Sequence, residues 1–504
     1  MEKPPLYYWV AAVCVYLLGG WMDQPDAARM ASGLFMTISA FAIGSATHAW
    51  WGKGAGRYAP LLLLGCLGTL TQTHMMMPDV PLLTGFALSA WGLSRILSLP
   101  KTGGVLLGLG VGVTFLSKGI LGPAVIGMTT LMLPVCFNEW RNGRYARGLV
   151  VAFFVALPML SIWPFLLHDR SPGLFMVWFW ENNFGRYFGF SGVRSGTEHP
   201  KGFWLQTLPW FTFPALPLAL FALWRQRFVA LTHPAMQYGL ISTLVMLLVL
   251  SFSESVRAVY ALPLLVPLAI LAAPAVSHIP QLADWAWTKI SQWLFGLLAA
   301  VIWLGWAIMM ATDATPAWPR LLRVLPSDFI PTFDLPIFLM ALTLTCVAWC
   351  ACRWFRRYPA YGLTTWFTGM TLTWALLTTL WMPWLDYAKS YQRVFSAIPW
   401  PSSVDCVTSI GMGESERAML NYVAHRITIR RELFPATKCR ALLMQGFVAS
   451  GPGEVDLSVW EPVWDGARPG DEWQRFWLFR NRVDAPMPDI ASIKFDKKLA
   501  LEAR

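Results

Sequence analysis

The stretch of sequence that decides the fold is DVPLLTGFALSAWGLSRILSLPKTGGVLLGLGVGVTFLSK, residues 79–118. It holds two apolar runs, near 80–98 and 104–117, and the short connection between them carries Arg95 and Lys101. Apolar runs joined by a basic loop are typical of membrane helices whose connection faces the cytoplasm. The stretch therefore predicts two membrane helices, with Asp79 and Lys118 both on the side away from the cytoplasm.

The composition of the whole chain agrees with a membrane protein. The chain has 504 residues, of which 56% are hydrophobic and 13% charged, and its mean hydropathy is +0.48. Soluble domains contain roughly 25% charged residues. The net charge of +11 does not indicate nucleic-acid binding, because the basic residues cluster between apolar runs and the 29 tryptophans suit membrane interfaces. The opening Met-Glu-Lys-Pro-Pro has no basic region before an apolar core, so no cleavable signal peptide is expected.

Twelve apolar runs predict about twelve transmembrane helices. Basic clusters follow every odd-numbered run and so assign those loops to the cytoplasm. The segment 7–20 is apolar but short, and an interfacial or re-entrant helix is expected there. The runs lie near 30–50, 58–75, 80–98, 104–117, 120–137, 148–167, 204–224, 236–252, 259–277, 291–311, 335–352 and 362–382.

The last part of the chain has a different character. No apolar run after residue 383 approaches the ~20 residues that span a bilayer. We predict a transmembrane domain over 1–383 and a small periplasmic α/β domain over 384–504. Strands are expected at 406–411, 427–430 and 441–444, with a helix at 415–426.

Two features of this small domain are open from sequence. Cys406 and Cys439 form either a disulfide, as an oxidising compartment permits, or two buried thiols. Four tryptophans, at positions 460, 464, 473 and 477, are read first as packing core and second as a glycan-contacting surface.

Ionisable groups at membrane depth are functional candidates because their burial is costly. Asp79 is either a helix N-cap or a polar group of a site. Lys118 either reaches outward to lipid phosphate or binds a phosphate-bearing substrate. The predicted periplasmic set is His74, Asp79, Lys118, Glu181, Arg186, His199, Glu254 and Arg257.

The loop 168–203 is the longest between predicted spans, and long loops are usually functional or disordered. Its aromatic content argues against disorder, and its Asn, Arg, Glu and His residues suit a sugar or a lipid headgroup. Neither a P-loop, a zinc-protease H-E-x-x-H nor a CxxC motif occurs in the chain.

Six short motifs, taken in order, resemble those of the bacterial GT-C glycosyltransferases in the protein-mannosyltransferase-like superfamily, and more specifically the lipid A aminoarabinose transferases. The resemblance covers about residues 2–275. The motifs are Glu2-Lys3-Pro4-Pro5-Leu6-Tyr7-Tyr8-Trp9, Asp79 with Pro81-Leu82, Phe115-Leu116-Ser117-Lys118-Gly119, Phe179-Trp180-Glu181-Asn182 with Arg186, His199-Pro200 with Phe203-Trp204 and Pro209-Trp210, and Arg257 with Tyr260, Leu262 and Pro263.

The resemblance implies an inner-membrane enzyme that moves a sugar from a polyprenyl-phosphate donor to a lipid, glycan or protein acceptor at the periplasmic face, by inversion. It implies that Lys3, Lys118, Arg186, Arg257 and Tyr260 bind the donor. It also implies that Glu2 and His199 hold a divalent metal, with Asp79 a candidate catalytic residue.

Members of this family carry a further helix and an acidic loop before the Lys-Pro-Pro motif, and that loop supplies the expected catalytic base. The sequence here opens at the motif, so we expect the base upstream of Met1. Two alternatives stay open: a non-catalytic homologue that binds a polyprenyl lipid, and a transporter of lipid-linked sugars. Internal repeats and ionisable groups near the membrane midplane, which would favour a transporter, are not evident in the sequence.

Overall fold

The computed structural model describes residues 3–185, 188, 202–227, 232–252, 257–315, 325–400, 406–431, 439–452 and 455–482. Most of these residues are helical, which confirms the predicted fold class. The helices are α1 Leu6–Leu18, α2 Gln24–Trp51, α3 Lys53–Leu64, α4 Leu67–Gln72, α5 Asp79–Ile96, α6 Pro100–Lys118, α7 Leu121–Cys136, α8 Gly143–Arg170, α9 Pro172–Met176, α10 Phe203–Phe211, α11 Ala215–Arg225, α12 Pro234–Ser251, α13 Leu265–Val276, α14 Gln281–Thr312, α15 Leu335–Phe355, α16 Tyr361–Leu380, α17 Met382–Lys389, α18 Tyr391–Ser396 and α19 Glu414–Ala424.

The chain divides into two compact units. The first comprises Met1–Gly296 with Ala348–Thr371, and the second comprises Leu297–Val347 with Leu372–Arg504. The domain boundary between residues 383 and 384 stays a prediction.

The hairpin of α5 and α6 is the most tightly packed part of the first unit. A Cβ atom on Gly85 would lie 2.7 Å from the Gly110 carbonyl oxygen, and one on Gly92 would lie 2.7 Å from the Gly103 carbonyl oxygen. Small residues let membrane helices approach backbone to backbone in this way. Because the helices are antiparallel, this contact brings the first residue of α5 and the last residue of α6 to the same end of the hairpin.

We expect Gly110→Ala to lower the thermal midpoint of the purified protein. The added methyl group would meet Ser89 Oγ at 2.3 Å and the Gly85 carbonyl oxygen at 2.6 Å, and overpacking of this kind costs about 1–3 kcal/mol. The matched control is Gly127→Ala, where nothing lies within 4 Å of the new Cβ atom. Equal midpoints for the two variants would contradict the close packing of α5 and α6.

Helix α2 lies alongside α5 and runs in the same direction. Ser32 Oγ donates to the Met75 carbonyl just before α5, at 3.0 Å, and the Ser39 and Thr84 hydroxyls are 2.9 Å apart further along. Phe41 and Trp91 meet edge to face at 5.5 Å between ring centroids. The C-terminal end of α2 therefore lies with Arg95 and Lys101, opposite Asp79 and Lys118.

Two of the predicted spans are broken. The run 58–75 is interrupted between α3 and α4, and the run 204–224 bends by 89° between α10 and α11. The two breaks meet: Leu67 N–H donates to the Phe213 carbonyl at 3.1 Å, and Trp366 Nε1 donates to the Gly65 carbonyl at 2.9 Å. Backbone groups freed inside a membrane need such partners, and here the Phe213 carbonyl and the Trp366 side chain provide them.

All twelve predicted runs coincide with helices. By length and composition alone, six of the described helices could cross a membrane, or seven if the bent pair α10–α11 forms one span. The segment 7–20 is helical as predicted: α1, Leu6–Leu18, has 13 residues and is too short to span a bilayer. Most of the described part of the predicted loop 168–203 is helical: α8 extends to Arg170, α9 covers Pro172–Met176, and a π-helix covers Val177–Gly185.

The C-terminal residues form the predicted small α/β domain. Its strands are β1 Val407–Ile410, β2 Thr428–Arg430, β3 Ala441–Phe447, β4 Trp460–Gly466 and β5 Gln474–Asn481, in the order β2-β1-β3-β5-β4. β1 is parallel to β2 and β3, whereas β5 is antiparallel to β3 and β4. The strands β4 and β5 were not predicted.

The two open questions about this domain now have answers. Cys406 and Cys439 form a disulfide with their Cα atoms 5.3 Å apart. Trp460 is fully buried between sheet residues, as a core residue should be, whereas Trp473 is 61% exposed and does not belong to the core.

Candidate functional site

A buried ion pair lies at one end of the α5–α6 hairpin. The Lys118 Nζ atom contacts Asp79 Oδ1, and these side chains are only 10% and 12% exposed. The same ammonium lies over the Tyr260 ring, 4.0 Å from its centroid. A cation placed over an aromatic face and beside a carboxylate is held from two sides. Residues far apart in the sequence thus form one polar cluster in an apolar setting.

The structure argues against one of the two sequence alternatives for each residue. Asp79 is the first residue inside α5, and the N-cap position is Pro78, which makes no side-chain cap, so the N-cap reading was wrong. Lys118 is the last residue of α6. Its side chain points to Asp79 and is nearly buried, so it does not reach outward to lipid phosphate. A buried lysine is costly unless paired, and Asp79 provides the pair.

The turn after Lys118 is held by a residue that the sequence analysis did not single out. Asn183 Oδ1 accepts from Ile120 N–H at 3.1 Å, and its Nδ2 donates to the Trp178 carbonyl at 2.8 Å. Gly119 has φ +81°, and a Cβ atom there would lie 2.1 Å from Asn183 Oδ1. Asn183 therefore joins the π-helix to the Lys118 turn. In the sequence, Gly119 indicates such a turn, because glycine readily adopts a positive φ.

The Lys3-Pro4-Pro5 segment is anchored at this same end. Leu6 packs against the cluster that contains Phe115 and Leu116, near the end of α6. Tyr7 is buried, and its hydroxyl donates to Ser32 Oγ at 2.9 Å. These contacts hold the segment beside the hairpin end that carries Asp79 and Lys118.

Two further predicted residues lie on neighbouring segments. Arg257 is exposed and immediately precedes the 3-10 helix Ala258–Leu264, and its carbonyl accepts from Tyr260 N–H at 3.0 Å. His74 lies in the turn before α5. Desolvation lowers the pKa of His74, and the positive charge of Arg29 lowers it further.

A small apolar pocket adjoins Lys118 and Tyr260. Its volume is about 40 Å³, and its other walls are aliphatic and aromatic side chains from α5, α7, α12 and the segment after Tyr260. The lining residues that bear no charge include Leu82, Phe86, Val125, Met246, Leu250 and Pro263. The site thus combines the Lys118–Asp79 ion pair with an adjacent hydrocarbon surface.

Several predicted residues lie outside the described part of the chain, namely Glu2, Arg186, His199 and Glu254. Glu181 is described, is exposed, and lies in the π-helix. Among the described residues, no three His, Cys, Asp or Glu side chains lie close enough to hold a metal ion. The proposed ligands Glu2 and His199 are not among those residues, so the metal stays a prediction.

The fold and the site define a multi-pass membrane protein that resembles the GT-C glycosyltransferases. The model of the dolichyl-phosphate-mannose-protein mannosyltransferase family matches residues 2–163. The fold is that of ArnT from Cupriavidus metallidurans bound to undecaprenyl phosphate, with a TM-score of 0.63 and 18% identity over 98% of this chain and 89% of that one.

Within that class, the chain resembles the aminoarabinose transferases. It is 29% identical over 320 residues to the undecaprenyl phosphate-alpha-4-amino-4-deoxy-L-arabinose arabinosyl transferase of Aeromonas hydrophila. The aligned region covers 60% of this chain and 55% of that protein. The corresponding Pseudomonas fluorescens protein is 26% identical over 55% of this chain and 48% of its own length. The chain spans about half the length of the curated relatives it matches.

Proposed function

We propose that this protein is an inner-membrane glycosyltransferase that takes its sugar from an undecaprenyl-phosphate donor. The observation that carries the proposal is the buried Lys118 between Asp79 and Tyr260, next to an apolar pocket at one end of the helices. The named activity of the Aeromonas and Pseudomonas relatives supports this donor class.

In this proposal, the cationic residues Lys3, Lys118, Arg186 and Arg257 bind the donor phosphate, and the Tyr260 hydroxyl donates a hydrogen bond to it. A lysine ammonium has three donors, so Lys118 can keep its contact with Asp79 while it binds an oxygen of the phosphate. The apolar walls beside Lys118 then receive the first part of the prenyl chain. The small volume of the pocket means that side chains must move apart for the lipid to enter.

The charge of the leaving group explains how these residues would accelerate transfer. The donor is a phosphodiester with one negative charge, and the departing undecaprenyl phosphate is a monoester that gains a second. Cationic groups therefore bind the transition state more tightly than the donor, which lowers the barrier. We propose an inverting displacement, in which the acceptor oxygen attacks the anomeric carbon as the bond to phosphate breaks.

The proton of the acceptor must pass to a base. The resemblance assigns this role to an acidic loop that members of the family carry, and Asp79 is the alternative within this chain. Because Asp79 already contacts Lys118, we propose that it positions the lysine. A divalent ion held by Glu2 and His199 would neutralise the phosphate as a Lewis acid.

We propose that the reaction takes place at the periplasmic face, with lipid A the first acceptor to test among lipid, glycan and protein acceptors. The charge distribution of the loops supports this side, and so does the Cys406–Cys439 disulfide, since disulfides persist in oxidising compartments. The alternative is a homologue that binds the same polyprenyl lipid without transfer, because the same cationic groups would serve binding alone.

The proposal is tested with purified protein, undecaprenyl phosphate-4-amino-4-deoxy-L-arabinose and lipid A. We expect modified lipid A together with free undecaprenyl phosphate, and we expect Glu2→Ala, Lys3→Ala and His199→Ala each to reduce transfer at least about ten-fold, because each removes a charge-assisted contact. Transfer retained by all three variants would remove the proposed site. Donor binding without release of undecaprenyl phosphate would favour the non-catalytic alternative.

A further inference from the structure

A second cavity lies at the opposite end of the first unit, between α2 and α3. This groove has a volume of about 420 Å³, within the range of ligand pockets. His48, Lys53 and Arg57 line its rim, whereas Phe41, Gly44 and Pro60 line its inner part. No Asp or Glu side chain is among the residues that line it. We call it the basic groove.

Two glycines shape the basic groove by letting α2 and α3 touch. A Cβ atom on Gly44 would lie 3.1 Å from Pro60 Cγ, and one on Gly56 would lie 2.8 Å from the His48 Cβ atom. This contact closes the inner part of the groove and leaves the basic side chains on one open rim. His48, Lys53 and Arg57 are all exposed.

The basic groove extends from the headgroup level of a bilayer into its hydrocarbon core. Helix α2 has 28 residues, or about 42 Å at 1.5 Å per residue, which exceeds the ~30 Å hydrocarbon core. Its last turn therefore reaches the headgroup level. Trp50 and Trp51 mark that level, since tryptophan concentrates at membrane interfaces, and Trp51 stacks on His233 with ring centroids 3.8 Å apart. Phe41 lies two turns of helix deeper and is 66% exposed.

The charges of the rim lack carboxylate partners among the residues that the structure describes. Neither Lys53 nor Arg57 forms an ion pair with a carboxylate in the part of the chain that the structure describes. Lipid molecules with an anionic headgroup match this arrangement. The headgroup would lie against the basic rim, and the acyl chains would lie against the exposed aromatic ring below it. Free phosphate would gain nothing from the apolar inner part. Basic pockets between membrane helices on the cytoplasmic side bind anionic lipid headgroups in other proteins.

We propose that the basic groove is a binding site for an anionic phospholipid of the cytoplasmic leaflet, with the lipid phosphate on Lys53 and Arg57 and an acyl chain along Phe41. The site is separate from the Lys118 cluster and does not depend on the proposed transfer reaction. It binds the headgroup by charge, so phosphatidylglycerol and cardiolipin are ligands and phosphatidylcholine is not.

The test is native mass spectrometry of the delipidated full-length protein titrated with phosphatidylglycerol, cardiolipin or phosphatidylcholine. We expect the double variant Lys53→Gln/Arg57→Gln to weaken phosphatidylglycerol binding about 10- to 30-fold, since each basic residue near a membrane contributes roughly five-fold. The matched control is Arg144→Gln/Arg147→Gln, which removes two exposed basic residues near the start of α8. We expect this control to bind as the wild type does.

Three results would overturn the proposal. Equal losses in the two double variants would show only general attraction to positive charge. Phosphatidylcholine binding as tight as phosphatidylglycerol binding would remove the role of headgroup charge. Displacement of phosphatidylglycerol by millimolar inorganic phosphate would identify an ion site rather than a lipid site. The thermal midpoints of both double variants check that folding is unchanged.

The variant Phe41→Ala keeps all three basic side chains of the rim. We expect it to weaken phosphatidylglycerol binding without any change in charge.

Discussion

Lys118→Met is expected to reduce sugar transfer about 100-fold. The variant removes a cation that is 10% exposed and lies 4.0 Å from the Tyr260 ring centroid. A hydrogen bond to a charged group contributes about 1.5–3 kcal/mol, and 2.7 kcal/mol corresponds to about two orders of magnitude in rate. Because the leaving phosphate gains charge, kcat should fall more than KM rises. Steady-state kinetics with the undecaprenyl-phosphate donor measures both.

A second variant separates a role in phosphate binding from a purely structural role. Lys118→Met alone leaves Asp79 as a buried carboxylate without its partner, which costs about 3–5 kcal/mol of stability. The double variant Lys118→Met/Asp79→Asn removes that unpaired charge. We expect it to regain thermal stability but not transfer. Recovery of transfer to within a few-fold of the wild type would show that Lys118 serves only to pair with Asp79.

The control for both variants lies on the same helix. Lys101 is near the start of α6, is exposed, and lies at the opposite end from Asp79. Lys101→Met removes the same charge and should leave kcat, KM and the thermal midpoint unchanged. A loss similar to that of Lys118→Met would mean that the net charge of the protein, rather than its position, governs transfer.

The second large effect concerns the small α/β domain. We expect Cys406→Ser/Cys439→Ser to lower its free energy of unfolding by about 3–4 kcal/mol, because the bridge closes a loop with a sequence separation of 33 and so restricts the unfolded chain. Proteolysis of the full-length protein in increasing urea, followed by loss of the C-terminal fragment, measures this change.

The matched control is Cys136→Ser/Cys350→Ser, which replaces two exposed thiols in the helical part of the chain. We expect no change in the urea midpoint of the C-terminal fragment for this control. If the Cys406/Cys439 variant behaves in the same way as the control, the bridge does not stabilise the domain. In cells, we expect Cys406 and Cys439 of the wild-type protein to resist maleimide labelling until a reductant is added.

Hydropathy and loop charge were sufficient to predict the helical class, because both depend on sequence-local properties. They also placed Asp79 and Lys118 on one side of the membrane. They could not predict that these residues pair, since the contact joins helix ends that are 39 residues apart and depends on glycine packing between α5 and α6. The cation-π contact with Tyr260 needs a third segment, which no local pattern specifies.

The elements that the sequence did not define have a common physical cause. An average of hydropathy over each apolar run includes Gly65 and Cys66, so it does not locate the break between α3 and α4 or the bend before Pro214. These breaks persist because distant groups such as Trp366 Nε1 satisfy the freed backbone. Strands β4 and β5 were missed because their pairing partners are each other and β3. Pairing of this kind is a tertiary property that their Pro- and Trp-containing sequences do not reveal.

The central claim, that undecaprenyl phosphate binds beside Lys118 and Tyr260, is tested most directly by photolabelling. An undecaprenyl phosphate analogue with a diazirine near its phosphate would be irradiated with the purified protein, and the labelled peptides mapped by mass spectrometry. We predict labelling within Ala258–Leu264 and around residues 118–125, abolished by excess undecaprenyl phosphate. Labelling confined to outward-facing residues such as Phe153 and Phe154, which are 59% and 64% exposed, or labelling that excess lipid does not reduce, would contradict the claim.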